Sequence, residues 1–200
     1  MKKNSLLLIL CSSLLILVGS QSAQAETVTW QFDTAHSNIY FGINHIFSTV
    51  RGHFRDYSGS FLFDPENPAT AKIEMKIKVK SIYTDDQKRD KHLKSKAFFD
   101  AGKYPVITFE STSIKTTEDK SYLVSGRLTV KGHSRDISFP LLYLGEKKHP
   151  LQKGQIVAGF NGHLVIDRLD FQVGDGQFYK MGVLDKDVDV VLSFEMLRNE

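Results

Sequence analysis

Alternation of apolar and polar side chains is the sequence feature that most constrains the fold. Over residues 71–80, every odd position from 73 to 79 is apolar, and every even position from 72 to 80 is Lys or Glu. This pattern gives a β-strand one buried and one solvated face, whereas a helix would scatter the same apolar residues around its axis. Residues 188–196 largely repeat the alternation. The chain is therefore predicted to fold mainly as β-strands.

Further strand-like segments are separated by turn sequences, of which DPENP at residues 64–68 is the clearest. They lie at residues 39–43, 61–63, 106–117, 121–131, 136–145 and 156–167. The total is about eight or nine strands, which fits a closed barrel or a sandwich. Closure removes the exposed edges of long strands. We therefore predict an all-β fold, an antiparallel eight-stranded β-barrel.

Two segments break the strand pattern. Residues 85–100 are rich in charge, with Leu93, Ala97 and Phe98 at helix-like spacing, which predicts a short helix or an ordered loop. Residues 168–177 contain two glycines and are predicted to be irregular.

The first 25 residues have the three-part layout of a secretory signal. Two lysines precede an apolar run over residues 6–18, and alanines at positions 23 and 25 match a signal peptidase site. This run is shorter than the ~20 residues that span a bilayer as a helix, which favours a cleaved signal over a membrane anchor. We expect residues 26–200 to form one mature domain in the periplasm.

Loss of residues 1–25 changes the composition in two ways. The only cysteine, Cys11, is removed, so the mature chain has no disulfide and must be stabilised by its core. The formal net charge falls from +3 to +1, which gives no reason to expect a nucleic-acid partner. Stable membrane insertion is not expected either, although an outer-membrane barrel is the rival fold. The charged face of residues 72–80 suits water better than a narrow lumen.

Several stretches together resemble a known family. They read WQFDTAHSNIYFGINHIFSTVRGHFRDYSG at 30–59, SIYTDDQKRDKHLKSKAFFD at 81–100, YPVITFES at 104–111, SGRLTVKG at 125–132 and IDRLDF at 166–171. The set resembles the YceI-like family of periplasmic polyisoprenoid-binding proteins, from about Trp30 to the end. It departs from the family pattern at residues 115–122 and 144–155. The resemblance implies a lipocalin-like antiparallel β-barrel with a short helix, an apolar bore holding an isoprenoid or quinone tail, and no enzymatic activity established for the family as a whole.

A ligand of this kind needs apolar area, because each buried methylene contributes ~0.8 kcal/mol without any hydrogen bond. The side chains predicted to point inward and contact it are Ile39, Phe41, Ile43, Phe61, Phe63, Ile73, Met75, Ile77, Val79, Ile107, Phe109, Leu128, Phe139, Leu141, Tyr143, Val190, Leu192 and Phe194. Ordinary core packing is the alternative for each of them. The 14 phenylalanines of the chain favour the ligand interpretation for the set as a whole.

A pyrophosphate or quinone head group would require polar side chains at one mouth of the barrel. The candidates are Ser81, Thr84, Arg89 and Asp90. The guanidinium fork of Arg89 suits phosphate, but Asp90 is an equally good structural partner for Arg89 or His92. Arg168 has a similar double interpretation.

The histidines raise the question of a metal or an active site. His36, His45, His53 and His92 are far apart and show no metal-ligand spacing, although folding can gather some of them. Ser37 follows His36, but neighbours on a strand point to opposite faces and cannot act as nucleophile and base. They are expected to fix a turn. No catalytic residue, metal or cofactor is predicted.

The preferred hypothesis is a periplasmic carrier for an isoprenoid or a similar amphiphile, either a polyprenyl phosphate or an isoprenoid quinone. Two alternatives stay open at this point. One is an enzyme that acts on a lipid in the same cavity, and the other is a ligand-free interaction module with a filled barrel. The sequence also leaves a homodimer open.

Overall fold

The computed structural model describes residues 28–118 and 120–200, and strands dominate both parts. The strands are β1 (Thr29–Phe32), β2 (Asn38–His45), β3 (Ser48–Phe54), β4 (Tyr57–Leu62), β5 (Lys72–Lys78), β6 (Ile82–Tyr83), β7 (Val106–Glu118), β8 (Ser121–Val130), β9 (His133–Lys148), β10 (Gln155–Asp167) and β11 (Leu184–Asn199). The helices are α1 (Gln87–Lys94) and α2 (Gln177–Lys180). The predicted signal segment lies outside the described residues.

These segments form eight barrel strands, because the first three strands are each interrupted once. Both β1 and β2 pair with β11, so they are two halves of one strand. The second strand consists of β3, which pairs with β2, and β4, which pairs with β1. In the third, β5 pairs with β4, while β6 pairs with β3. The antiparallel ring closes through β1 and β11. The predicted eight-stranded antiparallel β-barrel is confirmed, and the sandwich alternative is wrong.

Ser37 is the residue that accommodates the break between β1 and β2. Its buried hydroxyl donates to the Glu195 carbonyl at 2.8 Å and accepts from the Glu195 amide at 3.0 Å. The side chain thus replaces the backbone partner that β11 would otherwise lack. In the same turn, His36 Nδ1 lies 2.8 Å from Asp33 Oδ2. His36 and Ser37 thus fix the turn, as the sequence predicts.

The predicted alternation decides which faces are buried. On β5, Ile73 and Met75 are buried, whereas Lys72 and Lys76 are exposed. The apolar faces of the strands therefore point into the barrel.

One end of the barrel, the closed end, is filled by aromatic side chains. Phe63 lies at its centre, with ring centroids 5.2 Å from Phe160, 5.4 Å from Tyr143 and 5.1 Å from Tyr122. The Trp30 indole donates to the Phe63 carbonyl at 3.0 Å. These rings interlock at van der Waals distance and leave this half of the barrel packed.

The opposite end carries the long connections. α1 and the following loop lie between β6 and β7, and α2 lies between β10 and β11. The short helix predicted within residues 85–100 is confirmed as α1, which Asp86 caps by accepting from the Arg89 amide. Residues 168–171 form a 3₁₀ turn in the segment predicted to be irregular. No helix within the described parts of the chain is long and apolar enough to cross a membrane.

Candidate ligand-binding cavity

The half of the barrel nearer α1 contains an apolar cavity of about 540 Å³. Side chains from both strands and connections line it, and nearly all of them are aliphatic or aromatic. Exposed residues also contribute, among them His45, Ser48, His92 and Phe178, so the cavity reaches the surface between the β2–β3 turn, α1 and α2. Its size and composition are those of small-molecule sites, which are mostly apolar clefts of about 300–1,000 Å³.

The inward face of β8 shows how the barrel changes from filled to open. Tyr122 and Val124 are buried in the packed half, whereas Leu128 and Val130 line the cavity. β10 repeats the change, with Phe160 in the aromatic cluster and Ile166 at the cavity. The boundary between the packed half and the cavity therefore crosses the strands rather than following one of them.

The structure divides the predicted contact residues into two groups. Those that line the cavity are Ile39, Phe41, Ile43, Met75, Ile77, Ile107, Phe109, Leu128, Phe139, Val190 and Leu192. Contact of this group with a ligand remains a prediction.

The residues of the second group do not line the cavity, and we correct their assignment. They are Phe61, Phe63, Ile73, Val79, Leu141, Tyr143 and Phe194. All except Val79 lie toward the closed end, where neighbouring side chains already fill the interior. Val79 falls on the 3₁₀ turn between β5 and β6, which interrupts the strand alternation. Strand alternation correctly predicted that the other six side chains point inward, but it does not distinguish the two ends of the barrel.

Other lining residues were missing from the prediction. Val130, Leu164 and Ile166 extend the alternation of strands that were already recognised, so counting to the strand ends would have found them. Phe98 and Phe171 lie outside the strands, in a loop and in a 3₁₀ turn, where strand alternation gives no information. Only the tertiary fold brings these two side chains to the cavity.

Of the predicted head-group residues, Arg89 alone lines the cavity. Thr84 and Asp90 are buried beside it, and the Thr84 hydroxyl donates to Asp90 Oδ1 at 2.6 Å. Arg89 Nε donates to the Thr84 hydroxyl at 2.8 Å, and Nη2 donates to the Thr84 carbonyl. Ser81 donates to the Lys78 carbonyl at 2.7 Å, away from the cavity. Thr84 and Asp90 therefore hold the Arg89 guanidinium in place, and neither they nor Ser81 line the cavity.

Arg168 is a second cation beside the cavity, and it is only 5% exposed. Its Nε donates to the Asp185 carbonyl at 2.9 Å, and its Nη1 donates to the Val173 carbonyl at 2.7 Å. Nη2 is buried and has no hydrogen-bond partner among the described residues. Burial lowers the pKa of Arg168, while nearby carboxylates such as Asp167 oppose that shift. Arg168 is thus bound by backbone carbonyls.

Gly174 allows the chain to pass close to this guanidinium. Its φ of +85° is unfavourable for any residue with a side chain, and a Cβ atom there would lie 2.5 Å from Arg168 Nη1. Gly174, one of the two glycines in the segment predicted to be irregular, is therefore required by close packing.

Asp33, His36 and Glu195 bring potential metal-ligand atoms within 4.8 Å of one another. His36 and Glu195 are exposed, and His36 is already hydrogen-bonded to Asp33. This bond lowers the pKa of Asp33 and raises that of His36. We interpret the group as part of the turn between β1 and β2.

Comparison with known proteins identifies the family. A model of the YceI-like domain matches residues 30–196. The chain belongs to the YceI-like family. A UPF0312 protein of Azotobacter vinelandii is 32% identical over 183 residues, which cover 91% of this chain and 92% of the relative. A UPF0312 protein of Pseudomonas fluorescens is 37% identical over 166 residues, covering 80% and 81% of the two chains.

Solved structures of similar chains share the barrel. Burkholderia cenocepacia BcnA superposes with a TM-score of 0.72 at 26% identity, covering 84% of this YceI-like chain and 99% of its own. The YceI protein of Campylobacter jejuni gives a TM-score of 0.68 at 31% identity, with coverage of 76% and 87%. A polyisoprenoid-binding domain from Saccharophagus degradans gives 0.61 at 17% identity, with coverage of 86% and 98%. The last likeness concerns the fold alone.

The two departures from the YceI-like sequence pattern lie at the closed end of the barrel. Residues 115–122 include the β7–β8 turn, and residues 144–155 include the β9–β10 connection. None of the described residues in either segment lines the cavity. The departures therefore do not alter the opening near α1.

Proposed function

We propose that this protein is a periplasmic carrier that binds an isoprenoid or a similar long-chain amphiphile, either a polyprenyl phosphate or an isoprenoid quinone. The observation that carries the proposal is the apolar cavity of about 540 Å³, which opens at one end of a barrel whose other end is packed. An interaction module with a filled barrel would have no use for such a space.

An isoprenoid tail suits this lining because it offers no polar atoms and needs none. The cavity presents aliphatic and aromatic side chains along most of its length, with Met75 as an adaptable member. Burial of about ten methylenes contributes ~8 kcal/mol, which corresponds to a Kd of ~1 μM before the costs of association. The apolar contacts alone are therefore sufficient for useful affinity.

The polar residues favour one orientation of the ligand. The closed end is filled by packed apolar side chains, so the tail would enter first and the head group would remain near α1. Arg89 and His92 lie there, and the Thr84–Asp90 pair orients the Arg89 guanidinium. A phosphate would accept from this guanidinium, and a quinone carbonyl would do so more weakly.

Two further observations support the ligand class and the compartment. The Saccharophagus degradans domain with the same fold is described as polyisoprenoid-binding. The N-terminal 25 residues have the sequence layout of a secretory signal, which supports export to the periplasm.

The test is native mass spectrometry of protein purified from the periplasm, followed by extraction into organic solvent. We expect a bound species of several hundred daltons that only organic solvent releases. Incubation with the protein should leave this lipid chemically unchanged. Conversion of the lipid to a product would support the enzyme alternative. A bare protein mass after incubation with quinones, polyprenyl phosphates and fatty acids would refute the carrier hypothesis.

A further inference from the structure

Exposed apolar side chains surround the opening of the cavity. Ile46 and Phe47 form the tip of the β2–β3 turn, and Phe47 is fully exposed. Phe178, Tyr179 and Met181 are exposed on and just after α2. We call these five residues the mouth patch.

The two parts of the mouth patch are joined by backbone hydrogen bonds. The Ile46 amide donates to the Val183 carbonyl at 3.0 Å, and the Val183 amide donates to the Phe178 carbonyl at 2.9 Å. His45 also pairs with Leu184 at the start of β11. The turn tip and α2 are therefore fixed next to each other and form one continuous surface.

The composition of the turn tip is unusual for a water-exposed position. Gly, Asn and Asp dominate such turns, because they tolerate left-handed backbone and hydrogen-bond locally. Here the left-handed residue is Ile46, with a φ of 53°, a conformation that is strained for a β-branched side chain. The next residue is Phe47. The chain thus keeps two large apolar side chains where neither folding nor solubility favours them.

The mouth patch is continuous with the cavity. Phe178 belongs to both, and His45 and Val183, which flank the patch in sequence, line the cavity. A lipid tail leaving a bilayer at this surface would reach the bore without crossing water. We propose that the mouth patch docks on a bilayer surface, with Phe47 inserted among the lipid headgroups. This inference rests on the proposed carrier function.

Charge around the opening is mixed. Lys88, Lys91 and Lys180 are exposed, but so are Asp85 and Asp86 before α1 and Asp175 before α2. These charges balance, so the apolar side chains of the mouth patch carry the docking.

A second copy of the chain fits the mouth patch less well than a bilayer. Standard protein interfaces use roughly 20–30 residues on each side, whereas the patch has five residues at a protruding turn and one short helix. A narrow apolar tip matches a soft bilayer surface better than a rigid partner.

Vesicle flotation with ligand-free vesicles of phosphatidylglycerol and phosphatidylethanolamine tests the docking step. We expect wild-type protein to float with the vesicles, and Phe47→Asp to weaken binding about tenfold or more, as expected from losing the burial of one Phe side chain. The matched control is Leu151→Asp, because Leu151 is 90% exposed but lies at the closed end. It should float like wild type.

A second variant, Phe47→Trp, reports the contact directly. The only natural tryptophan, Trp30, is buried at the closed end, so a blue shift of emission on vesicle addition would come from position 47. Absence of vesicle binding by the wild type, or equal binding by Phe47→Asp, would overturn the docking proposal. A concentration-dependent dimer that Phe47→Asp dissociates would also overturn it, in favour of a protein partner.

Docking and ligand binding are separated by a third measurement. Phe47 does not line the cavity, so Phe47→Asp should still bind a quinone with a short, soluble tail as tightly as wild type does. If neither protein binds any quinone or polyprenyl phosphate in solution, the carrier function fails, whatever the vesicles show. If both bind the quinone equally and only wild type floats, both proposals are supported.

Discussion

A matched pair of substitutions on β8 separates a ligand cavity from an ordinary core. Val124 and Val130 both face the barrel interior on the same strand, and they are 0% and 7% exposed. Val130 lines the cavity, whereas Val124 lies in the packed half. The perturbation is Val→Trp at each position, which places the same extra volume at the two ends of one strand.

The two variants should have opposite effects. At Val130 the indole ring enters free space, so the free energy of unfolding should change little, while the ring displaces part of the ligand tail. Loss of about three or four methylene contacts costs ~3 kcal/mol of binding, or roughly a hundredfold in Kd. At Val124 the ring has no space, and overpacking should destabilise the fold by ~1–3 kcal/mol. For a domain of this size that lowers Tm by roughly 2–4 °C for each kcal/mol.

Thermal unfolding and titration with a fluorescent isoprenoid measure both effects. We expect Val130→Trp to keep the wild-type Tm and lose affinity, and Val124→Trp to lose Tm and keep affinity below its lowered Tm. Equal destabilisation by both variants, with no change of affinity at Val130, would show that the cavity is not a ligand site.

Three other predictions follow from the structure. Arg89→Ala should weaken binding of a polyprenyl phosphate about tenfold or more and that of an uncharged quinone less, since the phosphate loses an ion pair together with its hydrogen bond. Calorimetric titration with both ligands measures the difference, and Arg89→Lys is the control. Phe63→Ala should lower the free energy of unfolding, measured by urea denaturation, by ~3–5 kcal/mol, because this ring lies at the centre of the closed end. The stoichiometry of ligand binding should stay unchanged, and a reduced stoichiometry would contradict the assignment. The hydrogen bond from His36 lowers the pKa of Asp33 below its ordinary 3.8 and raises the pKa of His36, so this pair should stabilise the fold most between about pH 4 and the ordinary pKa of histidine. The contribution is lost at lower pH as Asp33 takes up a proton and at higher pH as His36 releases one; Asp33→Asn should flatten both sides of this window, and an unchanged stability curve would refute the assignment.

Most of the barrel was predictable because strand alternation is a local signal. The pattern over residues 71–80 specifies which face of the strand is buried, whatever lies opposite. The interruptions of the first three strands were not predictable in the same way. The break after β1 depends on Ser37 reaching Glu195, which is 158 residues away in sequence. Contacts at that separation leave no periodic trace in a single sequence.

The candidate site was predictable only in part, for a related reason. Alternation predicts equally well that Phe63 and Phe109 face inward. Phe63 nevertheless fills the closed end, whereas Phe109 lines the cavity. The difference arises from how many large side chains converge at each level of the barrel. The same limit applies to Arg89 and Arg168, because their partners are backbone carbonyls and a threonine hydroxyl rather than the acids that sequence suggests.

The division into a packed and an open half has a consequence for how such a barrel stays stable without a disulfide in the described residues. An empty apolar cavity forfeits contacts that a filled core would make, so the loss must be compensated elsewhere. The aromatic cluster around Phe63 and Trp30 supplies dense packing at one end, and the same hydrogen-bonded strands continue to the other. The cavity can then remain open without collapse. On this view, large substitutions near α1 change what the protein binds, and small substitutions at the closed end change whether it folds.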